Sequence, residues 1–144
     1  MESCIGFDLH GVLTERPDIS REFLKCLRDV GIEVHIMSGS PLEDLRIELD
    51  DYGYEEGIHY DALFSVVSYL KDHHIPMWQD ENGNWWAHDD DWWPSKGKYC
   101  VDNSIIALFD DSRRYEPYLP EYTTFHHITG LRNSTIMNLH NSPF

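Results

Sequence analysis

Cations, cysteines and long apolar runs are all scarce in this chain of 144 residues. Eleven Lys and Arg stand against 26 Asp and Glu, a formal net charge of −15 that argues against a nucleic-acid polymer as partner. No apolar run approaches the ~18 residues of a membrane span, and the opening "MESCIGFD" lacks a signal-peptide pattern. Cys4, Cys26 and Cys100 are odd in number and widely spaced, which indicates reduced thiols rather than a disulfide framework. We therefore expect a cytoplasmic protein with one domain, 1–144, and no membrane partner.

Strand-like and helix-like segments alternate along the chain. Four segments are predicted strands: 3–8, 32–38, 104–110 and 122–128. A fifth, short strand passes into a helix within 61–74. The predicted helices are 18–31, 40–53 and 95–103. Asp18 and Ser40 are the predicted N-caps, with Pro41 at the first helical position. Such alternation is typical of a mainly parallel sheet covered by helices on both faces, so we expect a three-layer α/β fold with five strands.

Polar side chains end three of the predicted strands: Asp8, Ser38-Gly39 and Asp110-Asp111-Ser112. For Asp8 alone, a turn residue that bonds its own backbone is the simpler interpretation. In a parallel sheet, however, the strand ends meet along one edge, where ligands bind. Neighbouring carboxylates there repel each other unless a cation bridges them, and Mg²⁺ prefers such oxygen ligands. A cation would also admit a small phosphorylated ligand despite the negative charge of the chain.

Four short motifs occur in order: "FDLHGVLT", "VHIMSGS", the lysine of "SKGKYC" and "IALFDDS". On these elements they resemble the four motifs of the haloacid-dehalogenase-like (HAD) phosphohydrolases, over roughly residues 4 to 128. The run "SKGKYCVDNSIIALFDDSRRYEPYL" is also similar to the C-type deoxynucleotidase-like members. The resemblance implies a Rossmann-like α/β/α fold and phosphatase activity with Mg²⁺ as cofactor.

The resemblance also implies roles for the acidic residues. Asp8 resembles the nucleophile that attacks phosphorus and forms an aspartyl-phosphate, which water then hydrolyses. Asp8, the backbone carbonyl of His10 and one of Asp110 and Asp111 would hold the Mg²⁺, which offsets charge on carboxylate and phosphate.

The phosphate group has implied partners of its own. Ser38 and the backbone amide of Gly39 would bind its oxygens, and Lys96 would neutralise the developing charge. Lys98 is the rival lysine, but the spacing to "YC" favours Lys96 and leaves Lys98 on a solvated helix face.

His10 departs from the family pattern, since the phosphatases usually carry a second Asp there. That Asp protonates the leaving oxygen and later activates water. An imidazole titrates near neutrality, at a pKa of about 6.5, and can do the same work. The alternative is a loop histidine that fills space, which would leave a slow enzyme or a phosphate-binding relic.

The segment 76–94, "PMWQDENGNWWAHDDDWWP", lies where HAD proteins of this type carry a small insert. Asn82-Gly83 between apolar flanks predicts a hairpin. Its five tryptophans either form a lid that stacks on a planar group, or cover the sheet edge or a subunit contact. The remaining histidines, including His73-His74 and His126-His127, show no zinc-like spacing with the cysteines.

The sequence therefore predicts a HAD-like phosphohydrolase for a small phosphomonoester, with a nucleoside monophosphate as the leading substrate. The alternative is a weak or inactive phosphate-binding or protein-interaction module that keeps the fold without the usual acid.

Overall fold

A parallel sheet of five strands forms the centre of the computed structural model, which describes residues 3–129. Strands are numbered along the chain: β1 Cys4–Phe7, β2 Glu33–Ser38, β3 Ala62–Ser65, β4 Met77–Gln79, β5 Trp85–Ala87, β6 Ile105–Asp110 and β7 Thr124–His127. The large sheet has the order β3-β2-β1-β6-β7, and every neighbouring pair is parallel. The predicted α/β fold with five strands is confirmed.

Helices cover both faces of this sheet. They are α1 Pro17–Asp29, α2 Leu42–Asp51, α3 Val66–Asp72, α4 Asp89–Trp92 and α5 Ser95–Asn103, together with a short 3-10 turn at Arg113–Tyr118. One apolar core includes Leu24 of α1 and Leu45 of α2. The other core includes Val67 of α3, Trp92 of α4 and Cys100 of α5. The two separate cores give the three layers.

The predicted N-caps of α1 and α2 are wrong. Helix α1 begins at Pro17, so Asp18 lies in its first turn. Helix α2 begins at Leu42, and Ser40 does not cap it. Instead the backbone N–H of Leu42 donates to the hydroxyl of Ser68, 3.0 Å away. A side chain from a neighbouring helix thus satisfies the donor that a local cap would otherwise satisfy.

Strands β4 and β5 form the predicted hairpin, with antiparallel pairing. Its turn contains Gly83 at φ +82°, a conformation that favours glycine. One carboxylate oxygen of Asp80 accepts the backbone N–H groups of Asn82 and Asn84, and the other accepts the indole N–H of Trp86. The hairpin tip is therefore held by its own side chain.

Within residues 3–129, every helix is too short or too polar to cross a bilayer. The three cysteines all lie in this range and form no disulfide with one another; burial raises the pKa of the Cys100 thiol to about 12. Residues 1–2 and 130–144 of the predicted domain lie outside the described residues, so the single domain stays a prediction.

Candidate active site

Three predicted site residues lie at the carboxyl edge of the central strands. Asp8 follows β1, Ser38 ends β2 and Asp110 ends β6, and all three are buried. Because β1 pairs with both β2 and β6 in parallel, their ends meet at the same edge. The backbone N–H of Asp8 also donates to the carbonyl of Phe109, 2.9 Å away, so the pairing continues up to the carboxylate.

A cluster of three carboxylates, Asp8, Asp110 and Asp111, forms here, with the nearest oxygens within 4.8 Å of one another. Gly11 makes this approach possible. A Cβ at position 11 would lie 2.3 Å from a carboxylate oxygen of Asp111, and the φ of +79° also favours glycine. The cluster consists of hard oxygen donors within reach of one ion, so the residues fit Mg²⁺. We call this group the acid cluster.

Lys96 of α5 is the cation of this edge. Its ammonium donates to Asp110 at 2.7 Å and to Asp8 at 3.4 Å, and its side chain is 1% exposed. It also lies over the ring of Tyr115, 4.3 Å from the centroid. The rival Lys98 lies on the exposed face of the same helix. The geometry brings Lys96 into the acid cluster and leaves Lys98 outside it.

Burial controls the protonation of these groups. It raises the pKa of Asp8 well above its ordinary value; Lys96 opposes this, while Asp110 and Asp111 add to it. For Lys96, burial favours a lower pKa, but the charge of Asp8, with Tyr115 and Asp110, outweighs burial and raises it. The lysine therefore stays charged. Three carboxylates around one ammonium favour one further positive charge, which a proton or a metal ion can supply.

Ser38 and Gly39 form the turn after β2. The Ser38 hydroxyl is fully buried and accepts the backbone N–H of Ser40 at 3.2 Å. A Cβ at Gly39 would lie 3.2 Å from the indole of Trp92, so a side chain there would press against this ring. The turn is thus packed from one side by Trp92 and leaves its backbone close to the strand edge.

His10 does not join the acid cluster. Its side chain is exposed, and its Nε2 lies 2.5 Å from a carboxylate oxygen of Glu48 on α2. Nor is the imidazole among the groups that could hold a metal with the three carboxylates in the described part of the chain. The structure therefore forms a His–Glu pair beside the cluster.

A cavity of about 570 Å³ opens between α2 and the hairpin. It borders the site residues at His10 and Gly39. Its remaining walls include two acidic residues of α2 and two indoles of the hairpin: Asp44, Glu48, Trp85 and Trp86. A molecule in this cavity would lie next to the turn after β2 and beside the His–Glu pair.

The five tryptophans of the hairpin segment have different surroundings, and three of them, Trp85, Trp86 and Trp92, line the cavity. Trp92 is buried in the core, where its indole N–H donates to the hydroxyl of Tyr115 at 3.1 Å. Trp93 stacks under Arg114, 4.2 Å from its guanidinium. Trp86, by contrast, is 39% exposed and lines the cavity, whereas Trp78 is 45% exposed and does not line it.

Three residues of this site were not predicted from the sequence: Glu48, Tyr115 and Trp92. Glu48 contacts His10 across 38 positions of the chain, and no local pattern links the two. Tyr115 and Trp92 stand beside predicted motifs, in "DDSRRYEPY" and "DDDWWPSK". Their position beside a motif is the one signal that pointed to them: Trp92 comes shortly before Lys96, and Tyr115 shortly after Asp110 and Asp111.

Comparisons with known proteins give a likeness at the level of structure. No family model matches the chain, and no curated protein matches it either. The NMR structure of the core domain of "a putative phosphoglycolate phosphatase" from Streptococcus pneumoniae TIGR4 is similar to it, with a TM-score of 0.50. The likeness covers 99% of this chain and 98% of that one, at 14% identity. It is a likeness of fold. It supports the three-layer α/β fold that the alternation of strands and helices predicts.

Proposed function

We propose that this protein is a Mg²⁺-dependent phosphohydrolase that acts on a small phosphomonoester through an aspartyl-phosphate on Asp8. One observation carries the proposal: Asp8, Asp110, Asp111 and Lys96 converge at the carboxyl edge of the sheet, next to a cavity of about 570 Å³. The similar fold of the phosphatase core domain is consistent with it.

Asp8 would act as the nucleophile. One of its carboxylate oxygens bonds to phosphorus while the ester oxygen leaves with a proton. Water then attacks the same phosphorus, which returns the Asp8 carboxylate and releases inorganic phosphate. Ser38, the amide of Gly39 and Lys96 would bind the phosphate oxygens, as positive and N–H groups do where negative charge develops.

The acid cluster would hold the metal through Asp8, the backbone carbonyl of His10 and Asp111. Asp111 is the better ligand of the two neighbouring acids because both oxygens of Asp110 are already engaged, by Lys96 and by the backbone N–H of Ser112. Bound Mg²⁺ supplies positive charge that lets a carboxylate approach a phosphate.

His10 would be the acid and base of the reaction, with Glu48 as its positioning residue. A carboxylate bonded to one ring nitrogen orients an imidazole, which is the usual arrangement around a catalytic histidine. Glu48 and His10 both line the cavity, on the side where the leaving group would lie.

The cavity supports a nucleoside monophosphate as substrate. The exposed indole of Trp86 offers a stacking face. Gln79, whose amide N–H also donates to the Gly83 carbonyl, and Asn84 bring side-chain amides to the same wall. Asp44 and Glu48 line the same cavity, so a second negative charge on the substrate is disfavoured. The phosphoglycolate named for the structural neighbour carries such a carboxylate, and we place it below nucleotides.

The exposure of His10 favours a second candidate, a phosphate-binding module with little turnover. Phosphate release separates the two. The full chain would be assayed with and without Mg²⁺ on nucleoside monophosphates, phosphoglycolate and nitrophenyl phosphate, with Asp8→Asn as control. We expect Mg²⁺-dependent release that is fastest for a nucleotide. Phosphate binding without release from any substrate would establish the module instead.

A further inference from the structure

A second group of metal-binding side chains lies at the opposite end of the central strands. Cys4 begins β1, Glu33 begins β2 directly beside it, and His35 follows two positions later on the same face. The Cys4 Sγ lies 3.5 Å from one oxygen of Glu33, and Nε2 of His35 lies 2.9 Å from the other. One ligand atom of each residue lies within 4.8 Å of the other two. We call this group the strand-start cluster.

We propose that the strand-start cluster binds one zinc ion through Cys4 Sγ, His35 Nε2 and a carboxylate oxygen of Glu33. Sulfur, imidazole nitrogen and carboxylate oxygen are the three ligand types that zinc takes in proteins, at about 2.0–2.3 Å. Tetrahedral ligands at such bond lengths lie roughly 3.3–3.8 Å apart. The Cys4–Glu33 separation of 3.5 Å falls in this range, and the 2.9 Å between His35 and Glu33 would widen slightly around an ion. A thiolate and a carboxylate also balance the charge of the ion, while Mg²⁺ has no preference for sulfur.

Tyr99 supplies the outer contact that a zinc-bound histidine needs. Its hydroxyl lies 2.6 Å from Nδ1 of His35, and the two rings pack edge to face at 5.6 Å. When Nδ1–H donates to the Tyr99 oxygen, the Nε2 lone pair points at Glu33 and Cys4 and is available to a metal. The Tyr99 hydroxyl can donate or accept, so it is compatible with the tautomer that leaves Nε2 to a metal, and it fixes the orientation of the ring.

The burial of the cluster suits an ion with one open position. His35 and Cys4 are 3% and 9% exposed, whereas the Glu33 side chain is 34% exposed. Glu33 also lines a cleft of about 230 Å³ that opens to solvent. Three protein ligands and one solvent ligand complete four-coordinate zinc. The ion would join β1 to β2 and, through Tyr99, to α5.

The chain order hides this site. Zinc sites are recognised from ligands a few residues apart, but Cys4 and Glu33 are separated by 29 positions and meet only when β1 pairs with β2. The site also stands apart from the proposed phosphatase reaction, since the acid cluster occupies the other end of the same strands.

Cobalt absorption tests the proposal directly. The full chain, stripped with a chelator and kept in excess Mg²⁺ to occupy the acid cluster, would be titrated with Co²⁺ and then with Zn²⁺. We expect a thiolate-to-cobalt charge-transfer band that saturates at one ion per chain and disappears as zinc displaces cobalt. Wild-type protein without this band would overturn the proposal, whatever the behaviour of any variant.

Matched variants assign the ligands. Cys4→Ser should abolish the band, while Cys26→Ser, at an exposed cysteine on α1, should retain it. Tyr99→Phe should keep the band but weaken zinc binding by about 10–100-fold, as loss of an outer-shell partner does. Asp111→Asn should leave zinc affinity unchanged. The proposal would be wrong if the band survived in Cys4→Ser or if His35→Ala bound zinc as tightly as the wild type. The cluster would then be only a hydrogen-bonded network.

Discussion

The acid cluster and the cavity beside it differ in burial and in the elements that supply their residues. Asp8, Asp110 and Lys96 are buried and held by short contacts between adjacent strand ends and α5. His10, Glu48 and Trp86 are partly or fully exposed, and they come from a turn, a helix and a hairpin. Strand pairing fixes the positions of the residues in the acid cluster. The positions of the cavity residues depend on packing between separate elements.

In the proposed phosphatase, the buried residues would set the type of reaction, and the exposed residues would select the substrate. Charges inside a buried cluster interact strongly, so a change of one residue there disturbs every other. Residues on an exposed wall act on the substrate one at a time, and water screens their charges. We therefore expect changes in the acid cluster to have larger effects than changes in the cavity wall.

Removal of Asp8, the proposed nucleophile, should have the largest effect on turnover. Asp8→Asn keeps the size of the side chain but cannot form the acyl-phosphate, so turnover should fall by roughly 10⁴–10⁶-fold, as when other covalent nucleophiles are lost. Phosphate release from nitrophenyl phosphate measures it. Because burial raises the pKa of Asp8 in the folded protein, the amide should not destabilise the fold in chelator. Near-normal turnover in this variant would contradict the covalent mechanism.

Replacement of His10 should have the second-largest effect on turnover. His10→Ala should slow a ribose phosphate by about 10²–10⁴-fold, the usual contribution of a general acid. Nitrophenyl phosphate should lose much less, since its leaving group needs no proton. Glu48→Gln should slow the ribose phosphate more than nitrophenyl phosphate, as His10→Ala does, but by a smaller factor. His10→Asp should retain turnover.

Asp44→Asn is the matched control, because Asp44 lines the same cavity and the bond to His10 comes from Glu48. Equal rates for His10→Ala and wild type on both substrates would make His10 a loop residue. Equal loss in Asp44→Asn and Glu48→Gln would show an effect of charge alone.

The lysine should matter for stability as much as for rate. Lys96→Met leaves Asp110, which is fully buried, without its cation. Breaking a buried pair in this way typically costs about 3–5 kcal/mol in the free energy of unfolding. The double variant Lys96→Met with Asp110→Asn should recover most of that loss. Urea unfolding in chelator measures both, and Lys98→Met, on the exposed face, should change stability by less than about 0.5 kcal/mol. Equal losses at positions 96 and 98 would contradict the buried pair.

The sequence predicted the buried region well because its signals are local. An apolar run that stops on an acid marks a strand end, and parallel strands bring such ends together, so Asp8 and Asp110 could be assigned to one edge. The residues that line the cavity could not be predicted in the same way. The Glu48 contact with His10 and the Ser68 bond that replaces the Ser40 cap both arise from packing between distant segments. Position 10 was recognised as unusual, but its partner was not.

The smallest expected effect is a change in KM when a tryptophan of the hairpin is truncated, and two tryptophans can be compared. Trp78 and Trp86 are 45% and 39% exposed. Trp86 lines the cavity, packs on Trp92 and donates to Asp80, whereas Trp78 packs on His88 and lies outside the cavity. If Trp86 stacks on a base, Trp86→Ala should raise the KM for a nucleoside monophosphate by about 5–10-fold, the lower part of the range for base–aromatic stacking. The KM for a small alkyl phosphate should stay the same, because that substrate has no planar group. Trp78→Ala should change neither value, and thermal unfolding of both variants checks that the hairpin stays folded. Equal KM values for wild type and Trp86→Ala on the nucleotide would make the indoles packing residues, and the cavity would then select its substrate by charge alone.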